Sequence, residues 1–181
     1  MSVVDLGGTV DYWTRAPVKP RSVHVMNLQD PPASVPDWIT VDVADATDPD
    51  LLSRAAASYD LVYSNSVIEH VGGHERRNAF AANVAALADR HWIQTPYRYF
   101  PVEPHWVCPC MQFLPLRARA RLGLHWPLVH TRPTNMERAI AQQLSVELLD
   151  ITAMRHYFPN SQIVYDRLAG LVKSVVAVKE S

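Results

Sequence analysis

The sequence predicts a single α/β domain built on a mostly parallel sheet. Three observations carry this. Short β-branched runs recur along the chain and each stops at a turn signal. Helical stretches lie between several of them. Two apolar runs near residues 162–178 are joined by a connection short enough only for an antiparallel hairpin.

Taken in order, Val3-Val4-Asp5-Leu6 runs into Gly7-Gly8, and Ser22 to Leu28 runs into Gln29-Asp30-Pro31-Pro32. Trp38-Ile39-Thr40-Val41 precedes an acidic, turn-rich patch, and Tyr59 to Ser64 and His91 to Thr95 follow. Continuous apolar strands of this kind belong to a sheet buried on both faces. Gln162 to Arg167 and Leu171 to Val178 are the two hairpin strands, with Leu168-Ala169-Gly170 between them.

Helices are expected from Asp50 to Ala57, with Pro49 in the first turn, from about His74 to Asp89, and from Asn135 to Leu149. Thr134 and Glu137 fit a capping box for the third. The connections Thr9–Arg21 and Asp30–Asp37 are short and proline-bearing, so neither carries a long crossover helix, and one face of the sheet is expected to be thinly covered at that edge.

Length and composition fit one domain, residues 1–181, with enough apolar residues (48%) for a core without metal or disulfide staples. Lysine plus arginine number 17 and aspartate plus glutamate 18, a balance that argues against nucleic acid or an anionic membrane as the main partner. No run approaches a membrane span, and the first residues do not look like a signal peptide, so a cytoplasmic protein with reduced thiols is expected.

The strand ends hold the candidate site. Asp5-Leu6-Gly7-Gly8-Thr9 is a strand entering a glycine turn, though not a dinucleotide fingerprint, since the later glycines of G-x-G-x-x-G are absent. Asn27-Leu28, Ala44-Asp45-Ala46 and Ser64-Asn65-Ser66 put small or polar residues after the next three strands. Four consecutive strand ends are therefore expected to converge on one crevice at the carboxyl edge of the sheet.

This pattern resembles the class I S-adenosylmethionine-dependent methyltransferases, in particular the small-molecule branch (type 11/12-like). Val3 to Thr9 is similar to the first motif of that family. Tyr59-Asp60-Leu61-Val62-Tyr63-Ser64-Asn65-Ser66-Val67-Ile68-Glu69-His70-Val71 is similar to its fourth-strand motif, the most specific match. The segment Thr95 to His105 resembles the post-strand segment of one subgroup. The resemblance implies a Rossmann-like methyltransferase fold with a seven-stranded sheet ending in an antiparallel hairpin. It also implies S-adenosyl-L-methionine as cofactor and methyl transfer to oxygen or nitrogen of a small molecule. The family's N-terminal cover helices are expected to be missing, since the sequence begins almost inside its first strand at Val3.

By the same resemblance, Asp5, Gly7, Gly8 and Thr9 would face the amino-acid end of the cofactor. Asn27 would stand at the ribose, Leu28 would pack on the adenine, and Asp45, beside Ala46, would accept from the adenine amino group. Asn65 would lie near the methionine moiety. Two departures are visible. Val10 replaces a further glycine, and Asn27 stands where an acid is usual, without the charge to hold both ribose hydroxyls.

The acceptor side is expected in an insertion at about 97–132. His70 and His105 are candidate bases, because an imidazole can take an acceptor's proton near neutral pH. Tyr97, Phe100 and Trp106, with Tyr99, are candidate walls for an apolar acceptor. As bracing or core residues, all of these need no ligand. No metal is expected: Cys108, Cys110 and His105 invite a zinc reading completed by His125 or His130, but cysteines one residue apart are unusual ligands. Arg117, Arg119 and Arg121 form the one basic cluster, read as a solvated face or as contact for an anionic acceptor.

Three function classes stay open: a methyltransferase, a non-catalytic binding module or partner subunit on the same fold, and, least favoured, a nicotinamide-dependent oxidoreductase. A homodimer is one way to cover the apolar terminal strand.

Overall fold

The structure is a computed structural model, described for residues 1–55, 58–129 and 131–180. The seven expected strands form one sheet: β1 (Ser2–Leu6), β2 (Ser22–Asn27), β3 (Ile39–Val43), β4 (Leu61–Asn65), β5 (His91–Pro96), β8 (Gln162–Leu168) and β9 (Leu171–Lys179). Two short strands between β5 and β8, β6 (Val102–Glu103) and β7 (Cys108–Pro109), pair separately. The sheet order is β3-β2-β1-β4-β5-β9-β8. β1 to β5 are parallel to one another, whereas β9 runs antiparallel to both β5 and β8. The order reverses direction at β1, which puts a topological switch point between β1 and β4.

Alternation along the strands sorts the core into two layers. Val4 and Leu6 of β1 join Met26, Val62 and Ile93 on one face. There they pack against Phe80, Val84 and Leu87 of α2 (His74–Leu87), and against Met154 of α5 (Ile151–Tyr157). On the other face Val3, Val23, Val25 and Ile39 meet Val10 and Trp13 of the six-residue α1 (Val10–Arg15), with Ala16, Val35 and Trp38 from the connecting loops against them. That face is thinly covered, as expected. Aromatic rings occupy it instead: Tyr63 stacks on Trp92 with centroids 4.9 Å apart, and Trp13 meets Tyr63 edge-on.

A third, smaller cluster is built from Trp106, Cys108 and Met111, with Leu122 and Trp126 against it. It joins the β6–β7 ribbon to α3 (Leu116–His125) and to the segment that carries α4 (Met136–Leu144).

Some sequence expectations need correction. The helix expected at Asp50–Ala57 is a single 3-10 turn, Leu51–Arg54, and Ala56 and Ala57 lie outside the described residues. The helix expected to run from Asn135 to Leu149 ends at Leu144. Its cap is Asn135, whose side chain accepts from the Arg138 N–H, rather than Thr134. A separate helix, α5, follows and is capped by Asp150, which accepts from the Ala153 N–H. The terminal hairpin closes through Ala169 and Gly170 at φ 50° and 82°. Two consecutive positive φ values are the backbone of a type I′ turn, whose twist matches that of the flanking strands.

His91 on β5 is 5% exposed. Its Nε2 lies 2.7 Å from Ser161 Oγ, and its Nδ1 has no partner. Burial, with repulsion from Lys179, pushes its pKa down to about 4, against about 6.5 for a free imidazole. The folded state therefore holds the neutral ring and the unfolded chain takes up the proton first. The contribution is complete above about pH 6.5 and is lost as pH falls towards 4. Urea unfolding at pH 7 and pH 4.5 should show a loss of about 2 kcal/mol attributable to this group. His91→Gln should flatten that part of the profile, and an unchanged slope in the variant would show that His91 does not titrate with folding.

Candidate active site

The carboxyl ends of β1 to β4 do open onto one groove of about 470 Å³. Gly7 and Thr9 follow β1, Asn27 to Gln29 follow β2, Ala44 to Ala46 follow β3, and Ser66, Val67 and His70 follow β4. Its size suits a small ligand of nucleoside class. Met26, Leu28, Ala44, Ala46, Val67 and Val71 supply apolar wall, and Leu28 is 71% exposed at the rim.

The glycine turn shapes the floor. Gly7 sits at φ +82°, in the left-handed region, and a Cβ there would approach Val67 Cγ2 to 2.5 Å. Its N–H donates to Met26 O at 2.7 Å. At Gly8 a Cβ would fall 1.7 Å from Asp5 Oδ2. Asp5 is thus packed under the turn. It is 1% exposed, accepts from Trp13 Nε1 at 2.6 Å through Oδ2, and leaves Oδ1 unpartnered. Burial pushes its pKa up to about 7, with the Trp13 hydrogen bond opposing. Asp5 braces the turn from below and is not among the groove-lining residues.

Asn27 is also engaged locally. Its Nδ2 donates to Gly8 O at 2.6 Å and Gly7 O at 3.2 Å, and its Oδ1 accepts from the Gln29 N–H at 3.2 Å. The amide locks the ends of β1 and β2 together, leaving Oδ1 one further acceptor site toward the groove.

Asp45 receives both the N–H and the hydroxyl of Thr47 on Oδ1, and Arg76 on Oδ2 at 2.6 Å. Burial pushes the Asp45 carboxyl up, but the Thr47 and Arg76 interactions outweigh it and hold its pKa below the usual value. Arg76, on α2, was not anticipated. It lines the groove and spans to Asp45, a pairing invisible to local pattern because 31 residues separate them. Asn83 of α2 pins the same loop by donating to Ala46 O and Asp48 O.

Ser66 is where the spaces meet. It lines the groove, an adjoining cavity of about 370 Å³ with Pro104, His105 and Trp106, and a third of about 610 Å³ with Asn65, Phe100, Val102 and Asp166. Its φ of 59° is unusual for a residue with a side chain, and such backbone is found where surrounding structure holds it in place. Asn65 and Phe100 thus face the third cavity rather than the groove. Tyr97 is half-buried against the main core, ring to ring with Tyr99. Trp106 is a core residue, 6% exposed, whose edge reaches the second cavity.

His70 and His105 are in contact, with their Nε2 atoms 3.0 Å apart. Behind His105, Nδ1 lies 2.7 Å from Oε1 of the buried Glu103, whose other oxygen accepts from the Trp106 N–H. Behind His70, Nδ1 lies 3.4 Å from Ser145 O. Burial, and then the neighbouring His105, lower the pKa of His70. Glu69, 1% exposed, accepts from Thr95 Oγ1 at 2.9 Å on Oε2, while Oε1 is unpartnered. Burial raises its pKa, opposed first by its own backbone N–H and then by the Thr95 hydrogen bond. Glu69 therefore ties its loop to β5 through the Thr95 hydroxyl. The zinc reading on Cys108 and Cys110 is not the structure's grouping: His105 sits with Glu69 and His70, and His130 lies outside the described residues.

Comparison with known proteins places the fold. Neither a protein-family profile nor a curated protein sequence matches the chain. Solved structures do. The N-terminal domain of EvdMO1 with S-adenosylhomocysteine bound superposes with a TM-score of 0.53 at 15% identity, covering 98% of this chain and 73% of that one. Magnesium protoporphyrin IX methyltransferase of Synechocystis PCC 6803, also with S-adenosylhomocysteine, gives the same values. A SAM-dependent methyltransferase from Anabaena variabilis gives 0.58 at 11% identity, over 99% and 76%. The chain has the class I S-adenosylmethionine-dependent methyltransferase fold. Among the described residues no helix is long and apolar enough to cross a membrane.

Proposed function

We infer that the protein binds S-adenosyl-L-methionine in the groove at the ends of β1 to β4 and transfers its methyl group to oxygen or nitrogen of a small molecule. The observation that carries this is the convergence of four successive strand ends on one groove floored by Gly7. The residues present fit the cofactor. Apolar walls around Leu28 and Ala44 suit a purine, Asn27 Oδ1 and Asp45 offer acceptors for hydroxyl and amino groups, and the bare Gly7 backbone allows close approach.

When bound, the cofactor supplies the electrophilic methyl group, so the chain's own residues need only align an acceptor and help it lose a proton. Ser66 joins the groove to the two acceptor-side cavities, which gives an acceptor a route to the same point. His70 and His105 line that route from the groove side and the cavity side respectively. Glu103, fixed by the Trp106 N–H, sets the orientation of the His105 ring. Acceptor recognition belongs to residues of the segment 97–132, with Phe100 and Trp106 lining the cavities.

Calorimetric titration with S-adenosylhomocysteine tests the reading. Saturable binding in the micromolar range is expected. Gly7→Val should abolish it, because the groove floor then carries a β-branched side chain at positive φ. His105→Ala should keep the affinity and lose methyl transfer. No heat at high micromolar ligand, or full binding by Gly7→Val, overturns the assignment of the groove. Binding without transfer to any acceptor in a broad screen favours the non-catalytic binding module instead.

A further inference from the structure

The geometry points to a divalent transition-metal site, of the Zn²⁺ class, formed by Glu69, His70 and His105 where the groove meets the acceptor-side cavity. One ligand atom from each residue lies within 4.8 Å of the other two. The Nε2···Nε2 separation is 3.0 Å, near the ~3.3 Å that two imidazoles present on a tetrahedral ion with bonds of about 2.05 Å.

The environment behind the ligands matches what metal-bound histidines require. A ligating imidazole donates its other N–H to a carboxylate or backbone carbonyl, which fixes the tautomer and aims the free lone pair at the ion. Both rings have such an acceptor: Glu103 Oε1 behind His105 and Ser145 O behind His70. With both Nδ1 atoms donating, both Nε2 atoms carry free lone pairs 3.0 Å apart, which repel unless a cation is shared between them. Glu103 is itself 2% exposed and is held by the Trp106 N–H, so its orientation of His105 is rigid.

Glu69 gives the independent observation. It is buried to 1% exposure and Thr95 engages only Oε2. Oε1 is left without a hydrogen-bond partner. A buried carboxylate oxygen with no donor is costly, and a cation beside it removes the cost.

Two imidazoles and one carboxylate form the ligand set of catalytic rather than structural sites, because three protein ligands leave a coordination position open. Here the open side belongs to the cavities that share Ser66. On the methyl-transfer reading, on which this assignment of role rests, that position takes an oxygen of the acceptor. The two histidines then serve as ligands, and an acceptor bearing a hydroxyl is the favoured class.

The test uses the full chain freed of metal by chelator and dialysis. Titration with Zn²⁺ by calorimetry should show one site, and Co²⁺ should give visible ligand-field absorption of a nitrogen–oxygen site. His70 is exposed, so His70→Ala should fold normally, as checked by its thermal melting, and lose at least tenfold in Zn²⁺ affinity. Glu103→Gln, which keeps a carbonyl behind His105, should weaken binding by about 10- to 100-fold without abolishing it. Cys108→Ser/Cys110→Ser should leave the affinity unchanged. No Zn²⁺ binding, unaltered binding by His70→Ala, or loss of binding in the cysteine variant overturns the inference. S-adenosylhomocysteine titration of the same samples separates the two proposals: its binding without that of Zn²⁺ overturns the metal site alone, and the reverse overturns the cofactor groove alone.

Discussion

Gly8→Ala should lower S-adenosylhomocysteine affinity at least a hundredfold and destabilise the chain by about 3 kcal/mol, the upper range for forced overpacking. The new Cβ would stand 1.7 Å from Asp5 Oδ2 and 2.3 Å from its Cγ. Asp5 has nowhere to retreat, since it is buried and tied to Trp13 Nε1 at 2.6 Å. Either that hydrogen bond breaks or the turn lifts. Lifting the turn breaks the two hydrogen bonds from Asn27 Nδ2 and deforms the groove floor at the ends of β1 and β2 together. Because the clash is with one carboxylate, Asp5→Ala placed on Gly8→Ala should restore part of the stability, measured by urea unfolding. A Gly8→Ala protein with wild-type stability and affinity would show that Asp5 does not lie beneath Gly8.

The second large effect concerns Arg77 and runs against intuition. Arg77 is buried, and its Nη2 meets Glu147 Oε2 at 2.9 Å and Glu147 O at 3.2 Å, while Nε reaches Ile68 O at 3.4 Å. Glu147, by contrast, has a side chain 60% exposed. Removing the exposed partner should cost more than removing the buried one. Glu147→Ala takes the hydrogen-bonded carboxylate from a buried guanidinium and leaves the Glu69 carboxyl as its one nearby counter-charge without a hydrogen bond to it, for about 3 kcal/mol. Arg77→Met removes that charge, keeps most of the volume, and leaves Glu147 to water, for about 1 kcal/mol. The double variant should resemble Arg77→Met, because no charge is then stranded. Chemical denaturation of the three variants at neutral pH decides it, and equal losses in the two single variants would show that the carboxylate does not compensate Arg77. The pair also bears on the site. It braces Ile68 beside Glu69, and the Glu147 N–H donates to Glu69 O at 2.9 Å.

The sheet was legible because its signals are local: every β-branched run before the last is followed within a few residues by Gly, Pro, Asn or Asp. The groove was legible for the same reason, since strand ends converge by topology and need no knowledge of distant partners. What local pattern could not show was how the polar residues there are used. Asn27 spends its amide on Gly7 and Gly8, and Asp5 turns toward Trp13 beneath the turn. The helix Ile151–Tyr157 was hidden because the apolar run through Leu148 and Leu149 reads as a continuation of the preceding helix, until Asp150 is recognised as a new cap. The grouping of Glu69 and His70 with Glu103 and His105 needed coordinates, since it joins two loops 35 residues apart. The motif Glu-Pro-His at 103–105 carried a signal in retrospect: proline stiffens the step between a carboxylate and the imidazole it orients.

β9 follows every other strand in the chain yet lies inside the sheet, between β5 and β8. During synthesis β5 is made about 80 residues earlier and must wait with one flank open, its ladder groups exposed to any extended segment that passes. Val175 and Ala177, fully buried in the finished domain, are among the last core residues to emerge. Assembly of the sheet is thereby postponed until β9 has been made, and a ribosome stalled before Leu171 would release a chain with an unsealed seam, a natural target for chaperone capture or proteolysis.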